Sequence, residues 1–118
     1  MQNINNYKNK VNLILDELFI NKINNKKLKN ICVHAINGGK RLRPMITLDI
    51  VNSLNKIKNT NINADYASIA SELLHTACLI IDDLPCMDND NERRNNATIH
   101  YKYGETHAHL TTLYLIQQ

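Results

Sequence analysis

The 118-residue chain has no tryptophan, one phenylalanine, three glycines and two prolines. With so little turn punctuation, a protein of many short strands is excluded and long helical stretches are left open. Long hydrophobic runs are missing too. The longest, ACLII at residues 77–81, holds five residues, against the ~20 that a membrane span requires, and MQNINNYKNK at the N-terminus has no apolar core of a secretory signal. The three cysteines, Cys32, Cys78 and Cys86, are odd in number and form neither C-x-x-C nor a zinc spacing. Reduced thiols in an intracellular protein follow. Concentrated charge is scarce as well: the net is +3, and the one lysine cluster, Lys26, Lys27 and Lys29, fits a solvated helix face. A nucleic-acid partner would call for denser basic clusters interleaved with aromatics.

What is present is helical periodicity. Val11, Ile14, Leu15 and Leu18, with Phe19 beside them, form a first apolar stripe. Leu28, Ile31, Cys32, Ala35 and Ile36 form a second that ends at Gly38 and Gly39, residues able to take the left-handed conformation common at helix ends. Pro44 suits the first turn of a third helix carrying Ile46, Ile50, Val51 and Leu54. The polar, asparagine-rich residues 53–63 read as a loop, although the 19 asparagines of the chain look more like codon bias than a structural requirement. A fourth helix is expected to begin near Asn61 or Asn63, with Asp65 near its positive end. Tyr66, Ala70, Leu73, Ala77 and Ile80 line one face of it, and Ser68, Glu72, His75, Leu79 and Asp82 a second. His75 and Asp82, seven residues apart, point the same way about 10.5 Å apart along the axis. No strand pattern stands out, and the expected fold class is all-α.

The fourth helix runs into LIIDDLPCMDNDNERR, residues 79–94. Asp82 and Asp83 sit where the macrodipole is negative and carboxylates are disfavoured. Leu84-Pro85 then breaks the helix, which frees Asp88 to turn back toward Asp82. Carboxylates converging in this way need a cation, and oxygen-only ligation by a few aspartates suits Mg²⁺ completed by water and substrate phosphate. A solvated acidic loop is the plain alternative. It does not account for an apolar helix ending on the aspartates or for Arg93 and Arg94 directly after them. A calcium loop fails on spacing: counted from Asp88, position six is Arg93 and position twelve is Ile99. Upstream, GGKRLRP at residues 38–44 places Lys40, Arg41 and Arg43 after two glycines. Alone this is an ordinary basic helix end, but paired with an acidic metal site it suggests a separate phosphate pocket.

In this order and spacing, GGKRLRP, LLHTACLIIDDLPCMDNDNERR and IHYKYGE resemble the trans-prenyl diphosphate synthases, the farnesyl and geranylgeranyl diphosphate synthases, over roughly residues 31–105. DDLPCMD is similar to their first aspartate-rich motif in its longer form. The resemblance implies the N-terminal part of an isoprenoid-synthase-type helical bundle, with residues 1–118 a partial synthase domain. It implies a short-chain prenyltransferase condensing isopentenyl diphosphate with an allylic diphosphate in isoprenoid biosynthesis. Asp82 and Asp88 match the Mg²⁺ ligands, and Asp83 lies beside them in the catalytic motif. Arg93 matches the contact to the allylic diphosphate, and Lys40, Arg43, His75 and Arg94 match the residues holding isopentenyl diphosphate. Small residues at Ala77 and Cys78, five and four positions before Asp82, lean toward a twenty-carbon product over a fifteen-carbon one.

The chain departs from the family pattern at Ile81, usually histidine, at Asn95, usually glycine, and at residues 111–113, where an alanine-glycine-aspartate segment is usual. A second DDxxD does not occur in these residues. The expectation is therefore a chain incomplete by itself, with exposed apolar surface on the fourth helix and on residues 110–116. It would pair as a homodimer or as a heteromer with a synthase. The alternative is a non-catalytic truncated remnant or accessory subunit that binds a full-length synthase. The expected location is the cytoplasm, or the plastid stroma for an organelle-encoded chain. His100, His107 and His109 read as surface or packing residues.

Overall fold

The computed structural model of the protein describes residues 2–118, with side chains from position 5 onward. Helix α1, Gln2–Asp16, runs into a π-helical turn, Glu17–Asn21. Val11, Leu15 and Phe19 are buried, as their spacing predicts, and Phe19 enters the core from the π-helical turn. Helix α2, Lys26–Ile36, begins where Asn25 Oδ1 accepts the Leu28 N–H at 3.0 Å, satisfying one of the free donors of the first turn. It buries Ile31, Cys32 and Ile36 and is followed by Gly38 at φ +73°. Helix α3, Leu42–Lys58, carries Pro44 in its first turn, where the missing N–H is harmless.

Helix α4, Asp65–Asp82, is the central element and packs against α1, α2, α3 and the last helix. Its first N–H is taken by Asn63 Oδ1 at 2.7 Å, and Asp65 pairs with Lys10 of α1 at 2.6 Å. A two-stranded antiparallel hairpin follows, β1 Glu92–Arg93 with β2 Asn96–Ala97, in the register Glu92 to Ala97 and Arg93 to Asn96. Helices α5, Ile99–Tyr103, and α6, Glu105–Ile116, close the chain across Gly104, whose φ of +91° lets the backbone reverse between them. Apart from the four hairpin residues, every regular element among those described is helical, and the fold is all-α.

Three expectations change. Residues 53–63 are not a loop throughout, because α3 continues to Lys58 and ends at Asn59 with φ +50°. On α3 the buried residues are Pro44 and Leu48, with Val51 of the expected stripe half-buried against the core, whereas Ile46, Ile50 and Leu54 are exposed, so most of that stripe looks away from the packed side. On α4, Tyr66 and Ala70 are exposed, and the core face is Ile69, Leu73, Ala77 and Ile80 with Ser68, Glu72 and Thr76. The expected exposed apolar side chains are present: Leu74 and Ile81 on α4, and Leu110, Leu113 and Ile116 on α6.

Candidate active site

The end of α4 folds back as the proline break suggests. The Asp88 N–H donates to the Asp82 carbonyl at 2.9 Å, while Met87 and Asn89 donate to Leu84 at 2.9 and 3.0 Å. Leu84 is buried beneath this turn, and Asn89 takes a left-handed φ of +54° that asparagine tolerates. Asp82 and Asp88 are thereby neighbours through the backbone. Asp82 is half-buried, Asp88 is exposed, and neither carboxylate forms an ion pair among the described residues. No cluster of three or more histidine, cysteine, aspartate or glutamate side chains occurs among the described residues. A pair of free aspartates fits a cation that takes one or two carboxylates and completes its shell with water and phosphate.

Asp83 does something else. Its side chain is buried, and Arg93 Nε donates to its Oδ1 at 2.6 Å, with Arg93 Nη2 also close to that oxygen. Arg93 Nη2 reaches Asp90 at 3.3 Å as well. Consecutive helical residues diverge by about 100°, so Asp83 cannot share the outlook of Asp82. Its carboxylate is committed to holding Arg93 rather than added to the aspartate pair. The hydrogen bond to Asp83 raises the Arg93 guanidinium further above its ordinary value, and Arg93 Nη1 has no protein partner among the described residues.

The hairpin presents Arg93 and Arg94. Its two-residue turn, Arg94 at φ +55° and Asn95 at φ +62°, has the two positive angles of a type I′ connection. This explains Asn95 in place of the usual glycine, since asparagine is the side chain best able to adopt that conformation. Thr98 Oγ1 and His100 Nε2 each donate to the Asp90 carbonyl at 2.8 Å, and His34 Nε2 donates to the Ala97 carbonyl at 2.7 Å. A carbonyl only accepts, so both imidazoles carry their proton on Nε2. His100 is a buried strut of this loop, and His34 ties the hairpin to α2; the spacing of neither residue signals these roles.

Beside the hairpin lies a cleft of about 230 Å³ lined by Gly38, Lys40, Arg41, Leu42, Arg43, Glu72, His75 and Arg94. Lys40, Arg43, His75 and Arg94, three separate regions of the chain, thus meet around one space. Lys40 and Arg43 are exposed, and His75 and Arg94 are half-buried. Burial, reinforced by Arg43, holds His75 below its ordinary range, and burial does the same to Arg94 against the opposing pull of Glu72. Lys40, Arg43 and Arg94 thus gather positive charge beside His75 at the edge of solvent.

Arg41 differs from its neighbours. It turns inward at φ +59°, is almost fully buried, and donates through Nη1 to Glu72 Oε1 at 2.8 Å and through Nε to Asn12 Oδ1 at 3.0 Å. The sequence places it with Lys40 and Arg43 as one basic cluster, and it lines the same cleft, but its guanidinium is committed to Glu72 and Asn12 rather than left free. Ala77 is wholly buried on the core face with Leu73 and Ile80, as its spacing predicts, while its neighbour Cys78 is exposed.

A helical bundle whose central helix ends in an aspartate turn beside a basic cleft is the architecture of isoprenoid synthases, and known proteins agree. The family model for polyprenyl synthetase matches residues 25–118, and the chain belongs to that family. It is 39% identical over 89 residues to a trans-prenyltransferase of African swine fever virus, covering 74% of this chain and 28% of the relative. It is 47% identical over 71 residues to the farnesyl diphosphate synthase of Bacillus subtilis, covering 60% of this chain and 23% of the relative. The crystal structure of a geranyltranstransferase from Thermotoga maritima superposes with a TM-score of 0.81 at 30% identity, over 97% of this chain and 42% of that one. The chain thus spans about a quarter of the length of these curated relatives.

Proposed function

We propose that the chain carries the isopentenyl diphosphate site and the first metal–diphosphate site of a short-chain trans-prenyl diphosphate synthase. The observation that carries this reading is the convergence of Lys40, Arg43, His75 and Arg94 on one cleft beside the aspartate turn. In this reading Lys40 gives a point charge and Arg43 and Arg94 give forked donors to the diphosphate of isopentenyl diphosphate, while His75 donates from the floor. Arg93, braced by Asp83, offers its unpartnered Nη1 to the allylic diphosphate. Asp82 and Asp88 hold Mg²⁺, which when bound supplies positive charge to the pyrophosphate leaving group. Ionisation of the allylic carbon–oxygen bond places negative charge on the departing pyrophosphate, and Arg93 stabilises it where it develops.

The exposed Cys78 beside the aspartate turn is a small residue on the outer face of α4, and we assign it, rather than Ala77, the role of leaving room for a twenty-carbon chain. A second reading, an accessory subunit bound to a full-length synthase or to a second copy, is favoured by the exposed Leu110, Leu113 and Ile116 of α6. No helix among the described residues is long and apolar enough to cross a membrane, and the proposed setting is the cytoplasm or plastid stroma. The test is Mg²⁺-dependent incorporation of labelled isopentenyl diphosphate onto an allylic primer, by the chain alone and with a full-length synthase. Turnover abolished by Asp82→Ala supports the first reading. Turnover that appears only with the synthase and survives Asp82→Ala supports the second.

A further inference from the structure

Three charged side chains around Gly39 carry an inference about how the cleft is organised, and it rests on the diphosphate reading above. Gly39 has no room for a side chain: a Cβ there would collide with Arg41 Nη1 and lie 2.8 Å from Glu72 Oε1 and 2.9 Å from Arg94 Nη1. The guanidinium from the loop before α3 is therefore paired with a carboxylate of α4, and the Arg94 guanidinium from the hairpin turn comes close to the same glycine without an ion pair to Glu72 among the described residues. Glu72 is 2% exposed and Arg41 is 7% exposed, so this charge is settled inside the protein rather than by solvent. The loop is also held in an unfavourable shape. Arg41 is a non-glycine residue at φ +59°, a conformation that persists only where the surroundings over-determine it. Its bonds to Glu72 and to Asn12 of α1 are what over-determine it.

We propose that Glu72 and Arg41 are positioning residues for the diphosphate cleft: the buried carboxylate turns Arg41 inward and steadies Arg94, so that Lys40 and Arg43 face the anion. The arrangement answers why a carboxylate lines a pocket for a polyanion. Considered as a local charge, Glu72 repels the ligand, and its removal would tighten binding. As the anchor of the loop, its removal releases Arg41, lets the strained turn relax and scatters the cations that bind. The two accounts predict opposite signs.

The experiment is calorimetric titration of the full chain with inorganic pyrophosphate, with the melting temperature of every variant recorded. Glu72→Gln keeps the shape and removes the charge, and its affinity is expected to fall by about tenfold or more. Arg41→Lys keeps the ion pair and is expected to lose only about threefold, a rescue that loss of a merely structural contact would not track. Affinity unchanged or tightened in Glu72→Gln overturns the proposal. If Glu72→Gln does not fold, Asn12→Ala decides it. Asn12 lies outside the cleft, and its one side-chain hydrogen bond among the described residues is from Arg41 Nε, so about threefold weaker binding supports the proposal and unchanged binding overturns it. Failure of the wild-type chain to bind pyrophosphate would instead remove the diphosphate reading on which the proposal stands.

Discussion

Replacing Asp83 by alanine tests whether this residue is a brace for Arg93 rather than a member of the metal pair. The Asp83 side chain is 6% exposed and that of Arg93 31%. Removing one partner of a fully buried pair costs about 3–5 kcal/mol, whereas a fully exposed pair contributes about 0–1 kcal/mol. Arg93 retains Asp90 at 3.3 Å and some access to water, so an intermediate loss of about 2 kcal/mol is expected. For a chain of this length that corresponds to a fall in Tm of about 8 °C. Urea unfolding followed by circular dichroism measures the loss. The cycle with Arg93→Met should give a coupling energy of about 1–2 kcal/mol, because either single change already breaks the contact. Amide exchange at Arg93 and Asn96, the hairpin register pair, should quicken in Asp83→Ala while exchange in α1 does not. A loss under about 0.5 kcal/mol with no coupling would refute the brace.

Three further outcomes are expected. His75 is held below its usual value of 6.5, so it binds protons less readily in the folded chain than in the unfolded one; its contribution is complete above pH 6.5 and is lost as the pH falls through the lowered folded value. Urea midpoints measured across that window should decline with acidity, and His75→Gln should remove part of the decline. Asn95→Gly should be tolerated within about 0.5 kcal/mol, whereas Asn95→Val, which resists positive φ, should destabilise by about 1–2 kcal/mol in the same assay. Ala77→Phe, inserted into a filled core, should destabilise by about 1–3 kcal/mol, while Cys78→Phe on the exposed face should fold normally and, in an active assembly, shorten the product read by chromatography. An unchanged product distribution with Cys78→Phe would count against its assigned role.

Much of this site was legible because its chemistry is written in short segments. Asp82, Leu84, Pro85 and Asp88 lie within seven residues, and the backbone consequence of the proline can be worked out locally. The meeting of Lys40, Arg43, His75 and Arg94 was accessible only through resemblance, since three elements must pack before they share a cleft. Periodicity misjudged most of α3 because it counts apolar residues without saying which side is covered: Ile46, Ile50 and Leu54 are exposed, and it is Leu48 with Val51 that packs. The asparagine-rich end of α3 was read as loop since asparagine is a weak helix former, a preference that the flanking helix overrides. The hairpin escaped notice because two residues per strand are too few to show alternation, and its signal was the Arg94-Asn95 turn. Arg41 lines the cleft with its like-charged neighbours, but its pairing with the buried Glu72 is not signalled by adjacency in the sequence, because α4 must pack before the two meet.

The central claim is that Lys40, Arg43, His75 and Arg94 form one diphosphate-binding site, and the most direct measurement is calorimetric titration of the chain with isopentenyl diphosphate without added metal. The account predicts a single site whose affinity falls at least about tenfold in Arg43→Met, an exposed position where the change should move Tm little. Absence of binding to the folded wild-type chain, or binding that Arg43→Met leaves intact, would contradict it.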